Sequence, residues 1–284
     1  MTELKDMATF GVAGNFTGHL EQAGEARDFT NVKTAEEHAP KAMFPTYFPK
    51  ARENGSIPRF LTVFPFDAER LWYPAGEEKV QIEPECAVIF RVKWEGDTAV
   101  SLQTVSFGAS NDCSIRKEGA KKISLKKNWG EASKGFSSQW LPAEGGILPG
   151  GIFDRYRIAS FLIRDGVVTD YGEDSAVRDY SYFYGKLTDW LIDRMNHQEN
   201  EGPAEDIHTY LLEAGKPEYI LVSVGATRYT EFGRTNFLRP GDKAAVVVYP
   251  EDRYTNGDIR ELLQKGIYEA PEASFLVQTI LEKA

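Results

Sequence analysis

Short runs of β-branched and aromatic residues separated by turn signals dominate the 284-residue chain. Residues 8–16 read as a strand entering a glycine-rich turn, and Thr17 to Asp28 as a short helix with Thr17 at its N-cap. Residues 29–58 are polar and proline-punctuated, which predicts an irregular cap. Arg59–Pro65, Val80–Lys93 and Ala99–Gly108 carry strand composition. Residues 117–150, basic and then glycine-rich, predict a long loop, a feature that usually serves function. Asp165-Gly166 between Arg157–Arg164 and Val167–Tyr171 is a hairpin signal. Phe183, Leu187, Trp190, Leu191 and Met195 have helical spacing over Ser181–His197. Glu218–Val224 and Ala244–Val248 read as buried strands, and Gly257–Ala284 as two helices split near Pro271. Many strands, interspersed helices and no βαβ alternation predict a β-rich α+β fold. The expected organisation is a cap part over 1–58, a β-rich domain over 59–250 and a helical extension over 251–284.

Composition narrows the function classes. A net charge of −10, from 33 basic against 43 acidic residues, argues against nucleic acid and against an anionic membrane surface. No run approaches the roughly 18 apolar residues of a spanning helix. Met1–Phe10 carries acidic residues and no apolar core, so it does not read as a signal peptide. Cys86 and Cys113 belong to no CxxC motif, which sets aside a thiolate metal site and predicts two buried, reduced thiols in a cytoplasmic protein. His38, His197 and His208 sit in polar stretches and read as surface residues.

The candidate chemistry lies in Val80–Arg116. Residues i and i+2 of a strand share a face, so Glu83 and Glu85 project together, with Ile82, Cys86 and Val88 on the other side. Two such carboxylates repel unless both are solvated or share a cation. The apolar run Ala87-Val88-Ile89-Phe90 continues straight from them toward the core. Asp112 follows the next strand, and adjacent strands could bring it beside the pair. Three oxygen ligands suit Mg²⁺, Mn²⁺ or Ca²⁺ rather than zinc. The plain alternative is a solvated strand face without metal.

Val80-Gln81-Ile82-Glu83-Pro84-Glu85-Cys86-Ala87-Val88-Ile89 resembles the E-x-E strand of the fumarylacetoacetate hydrolase superfamily. Asn111-Asp112-Cys113-Ser114-Ile115-Arg116 is similar to its N-D-x-S-a-R segment, and Lys134-Gly135-Phe136 to its K-s-F. Gly14-Asn15-Phe16-Thr17-Gly18-His19 resembles its N-terminal G-x-N-Y-x-x-H. Tyr47-Phe48-Pro49-Lys50, the Asp165-Gly166 hairpin and Leu238-Arg239-Pro240-Gly241-Asp242 fall in family order over residues 9–250. The resemblance implies a mixed β-sandwich roll with a small N-terminal part, as a homodimer. It implies Mg²⁺ or Mn²⁺ on Glu83, Glu85 and Asp112. It implies Lys134 and Arg116 handling substrate charge, His19 activating water, and Phe16, Gly225 and Thr227 in the substrate site. The implied activity is hydrolysis or lysis, including decarboxylation, of a C–C bond in a small oxo-acid such as an acylpyruvate or oxo-dicarboxylate.

The chain departs from that pattern beside the metal set. Gln22 replaces the glutamate that orients the family histidine, Gly119 a glutamine, and Ser137 an aspartate. In Val224-Gly225-Ala226-Thr227 the family threonine is lost to Ala226 or displaced to Thr227. A retained metal set inside an altered shell fits a changed substrate. It also fits the alternative of a non-catalytic, metal-dependent binder of a small acid.

Overall fold

The structure, a computed structural model, describes residues 3–24, 29, 34, 36, 38–117 and 119–282. Among them are fifteen strands and five helices. The strands are β1 (Ala8–Ala13), β2 (Ala42–Tyr47), β3 (Arg70–Trp72), β4 (Val80–Gln81), β5 (Pro84–Glu95), β6 (Thr98–Asn111), β7 (Ser114–Ile115), β8 (Gly135–Phe136), β9 (Leu141–Pro142), β10 (Tyr156–Arg164), β11 (Val167–Asp170), β12 (Ser175–Ala176), β13 (Tyr219–Ser223), β14 (Lys243–Pro250) and β15 (Ser274–Leu281). The helices are α1 (His19–Ala23), α2 (Tyr184–His197), α3 (Ile207–Glu213), α4 (Glu231–Thr235) and α5 (Asn256–Gln264).

Two mixed sheets carry the fold. One has the order β2-β1-β13-β5-β6-β8 with β9 also on β6; the other has the order β11-β10-β14-β15-β3 with β12 also on β10. Most pairs are antiparallel, but β1 runs parallel to β13 and β3 to β15. Alternate residues of the central strands enter different cores, as a period of two requires. Cys86, Val88 and Phe90 of β5 meet Ile158, Val246, Val248 and Leu276 in the main core between the sheets. Ala87 and Ile89 face the other way, with Leu221 and Phe136. On the second sheet Ala245, Val247 and Tyr249 pack under Ile259 and Leu263 of α5. Both faces of β5 and β14 are therefore covered, and covered strands read as near-continuous apolar runs.

The β-rich α+β architecture agrees with expectation, and several elements differ. The tail holds one helix, not two. A Thr255–Asp258 capping box opens α5, and the chain then becomes β15. Gly266 (φ 73°) follows the helix, and a turn at Pro271-Glu272 leads into a strand bonded to both β14 and β3. The last segment is thus part of the second sheet. Arg59–Pro65 forms a single 3-10 turn, Arg59–Thr62, of which only Leu61 is buried. The cap segment contains β2, whose Pro45 is tolerated because β2 lies at a sheet edge. Helix α1 begins after Gly18 in a left-handed conformation, so Thr17 is not the cap. The expected extension of this helix over residues 25–28 lies outside the described residues. His38 and His197 are exposed and His208 is half-buried. Asp165 (φ 52°) and Gly166 (φ 77°) form the hairpin turn in the left-handed pair that tight hairpins need. No helix among the described residues is long and apolar enough to cross a membrane.

The long loop is tied down where it matters. Its 3-10 turn, Ile123–Lys126, is clamped by residues 202–205. Ile123 N–H donates to the Pro203 carbonyl (3.2 Å), Lys122 Nζ to the Gly202 carbonyl (2.8 Å), and Ser124 Oγ to the buried Glu205 carboxylate. The other Glu205 oxygen receives no hydrogen bond among the described residues. Burial pushes the Glu205 carboxyl from 4.5 up to about 7, against the Ser124 bond and the Lys122 charge. A raised folded-state value favours the protonated form. The associated stability is full below about 4.5 and is lost as pH rises through about 7. We expect unfolding free energy to fall by up to roughly 3 kcal/mol between pH 5 and pH 8 on this account. Glu205→Gln should flatten that slope in urea titrations. An unchanged slope would show that Glu205 ionises without cost.

Candidate metal centre

Glu83 stands at the break between β4 and β5, just before Pro84, which has no N–H to donate. Its own N–H donates to the Asn111 side-chain oxygen (3.1 Å), and its carbonyl accepts from Asp112 N–H (3.0 Å). Antiparallel register sets Pro84 opposite Asn111 and Glu85 opposite Ser110. One end of the β5–β6 ladder thus carries all three carboxylates. Glu83, Glu85 and Asp112 are each no more than 3% exposed, with one ligand atom apiece lying within 4.8 Å of one another. Two oxygens bound to one cation at roughly 2.1–2.5 Å are at most about 5 Å apart, so the spread fits a shared hard divalent ion. The solvated-face alternative does not survive this burial.

Three buried cations surround the carboxylates. Lys127 Nζ contacts Glu83 Oε2 and lies 2.9 Å from Asp112 Oδ2. Lys134 Nζ contacts Asp112 Oδ1. Arg116 reaches Glu83 Oε1 at 2.9 Å, donates through Nε to Gln81 Oε1 (2.6 Å), and donates to the Tyr229 hydroxyl (2.7 Å). Yet Glu83 Oε1 and Asp112 Oδ2 receive no aligned hydrogen bond among the described residues. They have charge nearby and lone pairs to spare, as a metal ligand should.

The carboxylates differ in proton affinity. Burial raises the Glu83 carboxyl, but Lys127 and Arg116 outweigh burial and hold it well below its ordinary value. Glu85 is pushed well above its ordinary value by burial, then by the Asp112 and Glu83 charges. Its Oε2 accepts Gly225 N–H at 2.8 Å, and no basic side chain lies in ion-pair range of it among the described residues. Burial, with Lys127 adding to it, lowers the Lys134 ammonium, and Asp112 opposes the shift. A divalent cation would relieve the repulsion that raises Glu85, so the donor set fits such an ion.

His19 enters from α1 and is 4% exposed. Its Nδ1 lies 2.8 Å from the Thr227 carbonyl, which can only accept. Nδ1 therefore carries a proton, which leaves Nε2 as the nitrogen that can exchange one. Gln22 pairs instead with the Tyr229 main chain, accepting its N–H at 2.8 Å and donating to its carbonyl at 3.3 Å. Gln22 thus does not take over the orienting role of the glutamate it replaces; the Thr227 main chain holds the imidazole, whatever the Thr227 side chain does. Gly225 serves through its N–H, at φ 125° and with Asn15 Cβ only 3.0 Å from where a Cβ would sit. Phe16 lies edge-on to Tyr180 with Arg228 over its ring. Arg116, expected on substrate, is engaged by Glu83, Gln81 and Tyr229. Ser137, where the resemblance has an aspartate, donates to the Phe275 carbonyl (2.7 Å).

Sequence reasoning missed Lys127 and Gln278. Lys127 lies in a basic run that reads as a solvated loop, and nothing in its spacing marks it as buried. Gln278 belongs to the tail expected to be helical. As part of β15, its Oε1 accepts from Asn111 Nδ2 (3.0 Å), and its Nε2 donates to the carbonyls of Lys134 (3.0 Å) and Asp67 (2.9 Å).

A family model described as a family of unknown function (DUF5718) matches residues 25–280. The chain belongs to that family. Among curated proteins nothing matches by sequence. Solved structures resemble it throughout. 2-Keto-3-deoxy-D-arabinonate dehydratase, solved in complex with magnesium and 2,5-dioxopentanoate, is 12% identical with TM-score 0.55, over 98% of this chain and 74% of its own. 5-Carboxymethyl-2-hydroxymuconate delta-isomerase from Mycobacterium smegmatis is 13% identical with TM-score 0.54, over 99% and 81%. A protein assigned to the fumarylacetoacetate hydrolase family from Yersinia pestis CO92 is 12% identical with TM-score 0.51, over 99% and 96%. This DUF5718 chain therefore has the fold of the fumarylacetoacetate hydrolase superfamily, as its motifs implied.

Gln278→Ala would leave the Asn111 amide and the Lys134 carbonyl without their buried partner. We expect a loss of about 2–4 kcal/mol in urea unfolding. A change within about 0.5 kcal/mol, the usual size for a surface substitution, would show that β15 does not brace this corner.

Proposed function

We propose that this protein is a divalent-metal-dependent enzyme that cleaves a C–C bond in a small oxo-acid of acylpyruvate or oxo-dicarboxylate type. The observation that carries the reading is the convergence of Glu83, Glu85 and Asp112 in a buried position that puts like charges together. Mg²⁺ or Mn²⁺ held there would supply Lewis-acid stabilisation of the negative charge that develops on a chelated oxo-acid. Two fold relatives support this reading by what they are: one is a dehydratase seen with magnesium and 2,5-dioxopentanoate, the other an isomerase of a hydroxymuconate.

The chain's own residues take the remaining roles. Arg116 and Lys134 fix Glu83 and Asp112 in place rather than clamping substrate. His19 presents Nε2 as the base, with Nδ1–H held by Thr227. A neutral carbonyl orients the ring without favouring its charged form, which suits a base that gives its proton back. Phe16, Gly225 and Thr227 line the approach on the α1 and β13 side. A homodimer and a cytoplasmic setting belong to the same proposal.

One observation favours the binder alternative: Arg116 and Lys134, the cations expected to meet substrate charge, are turned onto the metal-site carboxylates. The test separates the two readings. We expect calorimetry to show Mg²⁺ and Mn²⁺ binding that Glu85→Gln weakens at least about a hundredfold with the melting curve otherwise retained. Equal affinity in the variant would sink the metal assignment. With metal present, an oxo-acid panel should yield product; protection against melting without turnover would favour the binder.

A further inference from the structure

Lys127 has no place in the roles above, and its position is singular. Its side chain is 3% exposed and its ammonium touches Glu83 Oε2 while lying 2.9 Å from Asp112 Oδ2 and 3.4 Å from the Asp112 carbonyl. Among the described residues it is the one cation in ion-pair range of two members of the carboxylate set. Lys134 meets only Asp112, through Oδ1, and Arg116 meets only Glu83, through Oε1. A divalent ion held by Glu83 and Asp112 would come close to the Lys127 ammonium, which already meets both carboxylates. Two cations cannot share that space in a low-dielectric interior without strong repulsion.

The charge balance points the same way. Three carboxylates face two lysines and one arginine, so Lys127 supplies one of the three positive charges set against them. The Phe44 ring of β2 lies with its centroid 5.4 Å from Lys127 Nζ, so the ammonium that meets Glu83 and Asp112 also has an aromatic face beside it, within range of a cation–π contact. The clamp on the 3-10 turn and the Asn128 side chain, which donates to the Thr46 carbonyl (2.8 Å), fix the backbone on either side of Lys127. Any movement of Lys127 therefore falls to its side chain.

Resting on the metal-site reading, we propose that Lys127 is an internal counter-cation that competes with the divalent metal for Glu83 and Asp112. It holds Glu83 and Asp112 together without metal and gives way when metal is ligated, its stem remaining beside Phe44. It therefore sets metal affinity without being a ligand. This explains why the carboxylate set is buried yet met by cations of the chain itself.

The experiment is Mn²⁺ calorimetry on the full-length protein, on Lys127→Met and on Lys134→Met. Lys127→Met should bind Mn²⁺ at least tenfold more tightly than wild type. Lys134→Met, which removes equal charge from one carboxylate only, should gain clearly less. The metal-free Lys127→Met protein should melt lower than wild type and recover on Mn²⁺ addition. If Lys127→Met does not fold, Lys127→Gln retains hydrogen bonds to the carboxylates without the charge and should show the same gain. Unchanged or weaker binding in the folded Lys127 variant overturns the proposal, and so do equal gains in the two variants, which would reveal a general charge effect. If wild type and both variants all fail to bind Mn²⁺, the metal-site reading falls and this inference with it.

Discussion

Three carboxylates packed within 4.8 Å of one another in a dry interior are the constraint on which this structure depends. Taken alone they would repel and take up protons rather than stay charged. The fold answers with Lys127, Lys134 and Arg116, and each cation needs its own anchor. Arg116 is held by Gln81 and Tyr229. Lys134 is fixed through its main chain, which bonds to Pro65 and Asp67. Lys127 rides on a turn clamped by residues 202–205. Removing one member of such a buried ion pair typically costs about 3–5 kcal/mol, because the partner is left charged and desolvated. The uneven result, Glu83 held low and Glu85 pushed high, is what an all-oxygen site tuned for a cation looks like before the cation is considered.

Distant stretches of chain converge on this corner. The β5–β6 ladder supplies the carboxylates. The end of β13 supplies the Gly225 amide to Glu85 and, two residues on, the Thr227 carbonyl to His19. Helix α1 delivers the imidazole. From the opposite sheet, Gln278 of β15 bonds both Asn111 and Lys134, so the two sheets are coupled through the site as well as through the apolar core. The reaction proposed for this corner needs no further element, only a substrate able to chelate the cation.

Much of this was legible in the residues. The alternation in Val80–Lys93 and Ala99–Gly108, the Asp165-Gly166 turn and the apolar spacing of α2 follow rules that act within a few residues. The Glu83, Glu85 and Asp112 set was legible because a two-residue period and one strand pairing suffice to bring it together. The tail was not. Ser274–Leu281 is a strand because β14 and β3 lie on either side of it, and no local signal reports that neighbourhood. Arg59–Pro65 has strand composition but packs as a turn. Lys127 was hidden for a related reason: in a run with Lys121, Lys122 and Lys126, burial comes from residues 202–205 and Thr46, far away in sequence. What holds His19 was not legible either, because a main-chain carbonyl takes that role and carbonyls leave no mark in a sequence.

The central claim is that Glu83, Glu85 and Asp112 jointly ligate one divalent cation. Anomalous diffraction from crystals grown with Mn²⁺ tests it most directly. The account predicts a single manganese peak within about 2.0–2.5 Å of an oxygen from each of the three carboxylates. No peak at that corner, or one that leaves Glu85 out of contact, would contradict it.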